Sequence, residues 1–271
     1  MKRIKSTTFW IGFFIQAALI LIAIFAPMIA THDPGSINVR ESLLPPSWEH
    51  LFGTDGFGRD LFSRVVYGAR VTIIISMSVA LLSGLLGSTL GMIAGYFDKL
   101  ERPIMAVMDG MMAIPSMLLA MAIVAALGNG MINLIIALVI SDAPRVARVV
   151  RANVLSVKKM DYIEAARSMG ASDLRIITRY VFPQCVSPLI VRLTMTMGFT
   201  MLEEAALTFL GLGLDPSTPS WGIILSESRR YIRLAPYYVF LPGIMLILAV
   251  YSVNALGDGL RDTLDPKLNK R

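Results

Sequence analysis

The chain has 271 residues, of which 55% are hydrophobic and 16% charged, whereas an ordinary soluble domain carries about 25% charged residues. With a mean hydropathy of +0.65 a soluble fold would leave almost nothing polar to face water, which excludes a soluble enzyme and a disordered protein. The single cysteine, Cys185, excludes an internal disulfide framework. The two histidines, His32 and His50, stand far apart in the chain with no cysteine near either, so no metal ligands are expected.

Crossing about 30 Å of hydrocarbon takes about 20 apolar residues, and residues 6–31 supply the first such run. Its basic start resembles a signal peptide. Yet the apolar stretch from Phe9 to Ala30 exceeds the usual length and no A-x-A site follows, so a retained anchor is expected. An outer segment comes next, turn-rich at Asp33-Pro34-Gly35 and Pro45-Pro46. From Arg59 onward the pattern turns amphipathic, with Leu61, Phe62, Val65 and Val66 on one face and Asp60 spaced to pair with Arg64. This predicts an interfacial helix leading into the second span, with a direct substrate contact as the alternative. Gly53, Gly56 and Gly58 do not form a phosphate loop, because the spacing is wrong and no apolar strand precedes them.

Residues 71–97 form the second span. Residues 110–141 are free of charge but too long for one helix, and Leu127-Gly128-Asn129-Gly130 divides them into spans near 103–127 and 131–150. A span near 185–212 is interrupted by Arg192, Glu203 and Glu204, and residues 234–257 complete the set. The expected fold is all-α, a polytopic membrane protein with six transmembrane helices. Placing both termini in the cytoplasm puts 17 of the 25 Lys and Arg residues inside and 7 outside, as the positive-inside rule requires.

The inner segment between the fourth and fifth spans is unusually informative. Asp161 and Glu164 have capping-box spacing, with Asp161 at the cap. A short helix over 162–169 is expected to stop at Gly170, and a second one, capped by Ser172, to end before Pro183. Tyr162, Ala165, Ala166 and Met169 would form one face with small residues at its centre, permitting close docking. A helix this short is marginal alone, so its own spans or another protein must supply the partner.

Charges inside the spans cost about 2.5–3.5 kcal/mol each at a bilayer centre. Glu203 and Glu204 fall near the outer surface, either as a solvated helix end or as a polar outer mouth of a pathway. Asp142 and Arg145 read as structural, near an inner helix end kinked by Pro144. Asp109 and Arg192 lie deeper and should face the bundle or a polar cavity. Met105, Met108, Met111 and Met112, like Met195, Met197 and Met201, read as flexible packing residues rather than metal ligands.

Glu164-Ala165-Ala166, Gly170, Ile176-Ile177 and Phe182-Pro183 resemble the EAA loop of importer permeases of the ATP-binding-cassette (ABC) type, with Phe182 where leucine is usual. Gly53-Thr54-Asp55 with Gly58-Arg59-Asp60 extends the resemblance. So do Phe209-Leu210-Gly211-Leu212-Gly213 with Pro219-Ser220-Trp221-Gly222, and Gly257-Asp258 with Leu264-Asp265-Pro266. Together they are similar to the C-type permease subunits of the dipeptide/oligopeptide/nickel importers. The resemblance implies the ABC importer permease (MetI-like) fold in a bacterial inner membrane. It divides the chain into an anchor and outer segment (1–70), a transmembrane domain (71–256) with the EAA loop at about 157–183, and a cytoplasmic tail (257–271).

The coupling helix would use Asp161, Tyr162, Glu164, Ala165, Ala166, Met169 and Gly170; the pathway would use Asp109, Arg192, Glu203 and Glu204. No catalytic residue is implied. The implied partners are a homologous B-type permease, two ATPase subunits, an extracytoplasmic binding protein and the lipid bilayer, with no nucleic acid. No cofactor is bound by the chain itself: no G-x-x-x-x-G-K-[ST] occurs, so ATP and Mg would belong to the ATPase subunits. Cargo would be a di- or oligopeptide, or alternatively nickel or a metal chelate. An ion-coupled secondary transporter and a receptor or channel subunit are the readings from other classes.

Overall fold

The computed structural model describes residues 7–264, most of them helical, with one long connection over 30–60. The basic residues Lys2, Arg3, Lys5, Lys267, Lys270 and Arg271, together with Asp265-Pro266 and the end of the 257–271 tail, lie outside the described residues. In chain order the helices are α1 (Thr7–Ile24), α2 (Ala26–Ile29), α3 (Leu61–Tyr96), α4 (Asp98–Met112), α5 (Ser116–Leu127) and α6 (Met131–Val157). Then follow α7 (Asp161–Ser168), α8 (Asp173–Ile176), α9 (Phe182–Phe209), α10 (Trp221–Ser228) and α11 (Tyr237–Leu264).

The hub is α3, which packs against α1, α4, α6, α9, α10 and α11. Its 36 residues span about 54 Å at 1.5 Å per residue, more than the hydrocarbon needs. Gly87, Gly91 and Gly95 recur every fourth position and form a small-residue stripe that lets α6 approach backbone to backbone. A Cβ at Gly87 would stand 2.6 Å from Val146 Cβ and 2.7 Å from the Ala143 carbonyl oxygen, and one at Gly95 would stand 2.7 Å from Val154 Cβ. Any side chain there would force the two helices apart.

The amphipathic stretch after Arg59 is the start of α3 rather than a separate interfacial helix. Asp60 is its N-cap, accepting from the Ser63 backbone N–H at 2.8 Å. The capping geometry turns the Asp60 carboxylate back on the first helical turn, so the expected Asp60–Arg64 pair does not form. Arg64 instead pairs with Asp55.

Among the described residues, four helices are long and apolar enough to cross a membrane: α1, α3, the continuous helix Asp173–Phe209, and α11. The pair α4 and α5 is apolar enough only when taken together, and it is bent by 90°, the shape of a broken span or a re-entrant loop. The expected straight helix over 103–127 is thus corrected. Pro115 disfavours helical backbone at Ile114 and itself adopts an extended ψ of 131°, so the chain turns at 113–115. The span expected near 131–150 is α6, whose Asp142, Arg145, Arg148 and Arg151 place it outside the helices apolar enough to cross by composition. It sits centrally, packed against α3, α4, α5 and α9. The break before α6 falls where the glycines predict it, with Gly128 at φ +87° and Gly130 at φ +140°.

After α9, Gly211 (φ +83°) and Gly213 (φ +148°) make a turn. The Gly130 N–H donates to the Gly213 carbonyl at 2.6 Å, locking that turn to the α5–α6 connection. Trp221, fully buried, opens α10 and donates its indole N–H to the Val65 carbonyl at 2.9 Å. These contacts fix one end of the bundle. The other end is built on the last turns of α3 and α6, with α7.

Candidate functional site

At that second end, α7 is held by one face and free on the other. Ile163 and Ala166 are buried, Ile163 in a cluster with Met92, Tyr96, Val154, Val157, Ile176 and Val181. Tyr162, Ala165 and Met169 are exposed, Met169 with 81% of its surface, although one side of the Tyr162 ring lies near Tyr180, centroid to centroid 6.5 Å. The expected four-residue docking face is therefore split: Ala166 packs on its own bundle, because it lies one position nearer Ile163 around the helix. Asp161 and Glu164 are exposed, and the expected Asp161 cap is absent: the helix begins at Asp161 with no side-chain capping bond. Here the acidic first turn complements the helix dipole instead.

Gly170 ends α7 as the sequence predicts. Its φ is +80°, its N–H bonds the Arg167 carbonyl and the Ala171 N–H bonds the Ala166 carbonyl, which is the Schellman pattern. The Tyr96 hydroxyl donates to Asp173 at 2.6 Å and accepts from Arg167 at 3.4 Å, tying the end of α3 to both short helices. The second short helix does not stop before Pro183. A π-helical turn over Ile177–Val181 lets the Phe182 N–H reach the Ile177 carbonyl, and this wider turn accommodates Pro183 as the chain runs on into α9.

The charges inside the bundle form a connected strip. Arg192 donates to Asp142 at 2.5 Å, and the same carboxylate accepts from Thr196 at 2.9 Å and Ser83 at 3.3 Å. Arg145 lies 3.9 Å from Asp142 and donates to Ser116 at 2.9 Å, while the Ser116 hydroxyl donates to Glu203 at 2.7 Å. Ser116 opens α5 directly after the bend, so the break in the helix aims its hydroxyl at these groups. Asp142 is thus buried and central rather than near a helix end.

Glu204 is fully buried, not solvated, and accepts from Thr72 at 3.1 Å and Thr208 at 3.3 Å. Asp109 pairs with Arg148, Glu101 with Arg151, and Asp98 with Lys158, a ladder of ion pairs between α4 and the end of α6. Asp109 and Arg148 are about half exposed. Met105 and Met108 are buried in a packing cluster, as expected of flexible core residues.

At the opposite end the 32–60 segment folds around two polar knots. In one, Asp55 pairs with Arg59 at 2.6 Å and with Arg64, and Arg59 reaches Glu227 of α10. Burial alone would lower the Arg59 pKa, but the bonds to Glu227 and the charge of Asp55 outweigh it and hold it above its ordinary value. In the other knot, Asp60 accepts from the Ser63 hydroxyl at 2.7 Å and lies 2.9 Å from His50 Nδ1. Burial would raise the Asp60 pKa, but hydrogen bonds from Ser63 and His50 prevail and hold the carboxyl below its usual range. His32 joins this knot, its ring centroid 4.8 Å from that of His50. The sequence pattern, which predicts no metal ligands, does not reveal this cluster because no local spacing links the three residues.

A family of binding-protein-dependent transport system inner membrane components matches residues 87–270, and an N-terminal domain of oligopeptide transport permease C matches residues 4–46. The chain belongs to this permease family. It is 45% identical over 265 residues to a di/tripeptide transport system permease protein of Pseudomonas aeruginosa, covering 95% of this chain and 87% of that one. It is 43% identical over 252 residues to a glutathione transport system permease protein of Escherichia coli, covering 92% and 83%. The fold is like that of a chain of the MetNI methionine ABC transporter, with a TM-score of 0.65 at 20% identity over 76% of this chain and 98% of that one. The permease is a multi-pass membrane subunit of an ABC importer and not an enzyme.

Proposed function

We propose that this permease forms half of a pathway for di- and oligopeptides and is driven by separate ATPase subunits that dock on α7. The observation that carries this reading is the two-faced helix: Ile163 and Ala166 anchor it, while Tyr162, Ala165 and Met169 are left for a partner. A rigid strut with one open face transmits movement from whatever seats on it into α3 and α6. The polar strip supports the cargo class. Glu203 and Arg145, both partly exposed, offer an acidic and a basic group on one face, which suits a zwitterion. The half-exposed Asp109–Arg148 pair belongs against water or a second permease, because hydrocarbon would penalise it.

In this reading the N- and C-termini and α7 are cytoplasmic, and the 32–60 segment meets the binding protein outside. The other half of the pathway comes from a B-type permease, and the chain binds no nucleotide itself. The three-part division at 70 and 256 describes an anchor, a pathway unit and a tail. Reporter fusions within 157–179 should report cytoplasm and those within 31–50 the outside. The cargo is tested by uptake of a labelled dipeptide in cells with and without this gene, competed by unlabelled peptides and by Ni2+. Competition by peptides and not by Ni2+ is expected; the reverse would reassign the cargo to a metal.

A further inference from the structure

Thr31-His32, His50 and Asp60 come from three separate stretches of chain: the exit of α2, the middle of the outer loop, and the cap of α3. His50 Nδ1 is 2.9 Å and His32 Nδ1 is 3.8 Å from the same Asp60 oxygen. One ligating atom from each of the three residues falls within 4.8 Å of the others. Two donors sharing one ion at about 2.0–2.2 Å each stand roughly 3–4 Å apart, so these separations match a common centre after a small rotation of the exposed His32 ring. We propose that His32, His50 and Asp60 form a site for a divalent cation of the Zn2+ or Ni2+ type, stapling the loop to α3.

Four further features fit this chemistry. Two imidazoles and a carboxylate are donors suited to those ions rather than to Mg2+ or Ca2+. A cation on His50 Nδ1 requires the proton on Nε2, and the Glu41 carboxylate lies 3.6 Å from Nε2, just outside hydrogen-bond distance and on the side where a carboxylate orients a metal-bound histidine. Asp60 is immobilised by Ser63, through backbone and hydroxyl bonds to its second oxygen, which leaves the first oxygen turned toward the histidines. His32, with 39% of its side chain exposed, supplies the entry path, and three protein ligands leave a fourth position for water. The site is independent of the α7 docking face and of the cargo.

The test uses the full chain, purified without a histidine tag into lipid nanodiscs and stripped with chelator, titrated with Zn2+ by calorimetry and with Co2+ by visible absorption. One equivalent of Zn2+ and a Co2+ spectrum with nitrogen ligation are expected. His32→Gln, on the exposed ligand, should weaken Zn2+ binding at least tenfold without changing the metal-free melting temperature. Glu41→Gln should weaken it several-fold. Failure of the wild type to bind Zn2+ at micromolar concentrations, or unchanged binding in His32→Gln, would overturn the proposal and leave the triad as a hydrogen-bonded pin.

Discussion

Arg59 and Glu227 stand 168 positions apart and meet in one forked ion pair, the Arg59 Nη2 lying 2.8 Å from both carboxylate oxygens. The pair fastens the outer loop to α10, and through Tyr238, whose hydroxyl donates to Glu227 at 3.0 Å, to α11. Replacing Glu227 with Ala leaves Arg59 and Arg64 sharing Asp55 as their only carboxylate in this knot. Removing one member of a buried ionic group costs about 3–5 kcal/mol, and because Glu227 is 20% exposed the low end applies. The expected result is a lower melting temperature in detergent and reduced membrane abundance, with α7 unaffected.

Asp142 and Arg192 form the corresponding pair inside the bundle. Asp142→Asn should strand the Arg192 guanidinium and destabilise by several kcal/mol. The double variant Asp142→Asn/Arg192→Gln should be more stable than Asp142→Asn alone, because the uncompensated charge is gone. A double-mutant cycle on thermal stability measures the coupling; additive single effects would deny that the two act as a pair.

The two adjacent alanines of the EAA loop should behave differently. Ala166→Leu adds methylenes to a closed cluster and should cost about 1–3 kcal/mol. Ala165→Leu adds them to an exposed surface and should leave stability unchanged. Thermal melts of both variants, in the same membrane mimetic, decide it.

Gly170 has φ +80°, and nothing lies within 4 Å of the position a Cβ would take, so its substitution is penalised by backbone conformation alone. Gly170→Val should cost about 1–2 kcal/mol, and Gly170→Asn less, because asparagine tolerates the left-handed region. Equal losses in both variants would point to a steric cause instead.

What is legible in the sequence follows the range of the forces involved. Apolar runs and helix punctuation are local, so most spans, the Gly128–Gly130 break and the Gly170 stop can be read in place. Pro115 is equally local, but the charge-free run around it masks the bend. Pairings set by helix packing are not legible: nothing near Arg192 names Asp142, and nothing near His32 names His50. The spacing points Asp60 at Arg64, yet Asp60 is the residue before the helix and its carboxylate is turned onto the Ser63 N–H as the cap. The split of α7 depends on the position of Ile163 against Val154 and Val157, which only tertiary contact supplies. The Gly87-Gly91-Gly95 stripe is present in the sequence as a fourfold small-residue spacing, a signal sufficient to predict a close helix contact of α3.

In the proposed function α7 passes force between this permease and a separate ATPase. The most direct test is Ala165→Trp, which fills the exposed face and touches none of the buried one. The importer assembled with its partner subunits in nanodiscs should be assayed for ATP hydrolysis, and the same variant in cells for labelled-peptide uptake. Wild-type membrane abundance, with uptake reduced at least tenfold and ATP hydrolysis lost or no longer stimulated by cargo, is the predicted result. Full uptake and normal cargo-stimulated hydrolysis in Ala165→Trp would contradict it.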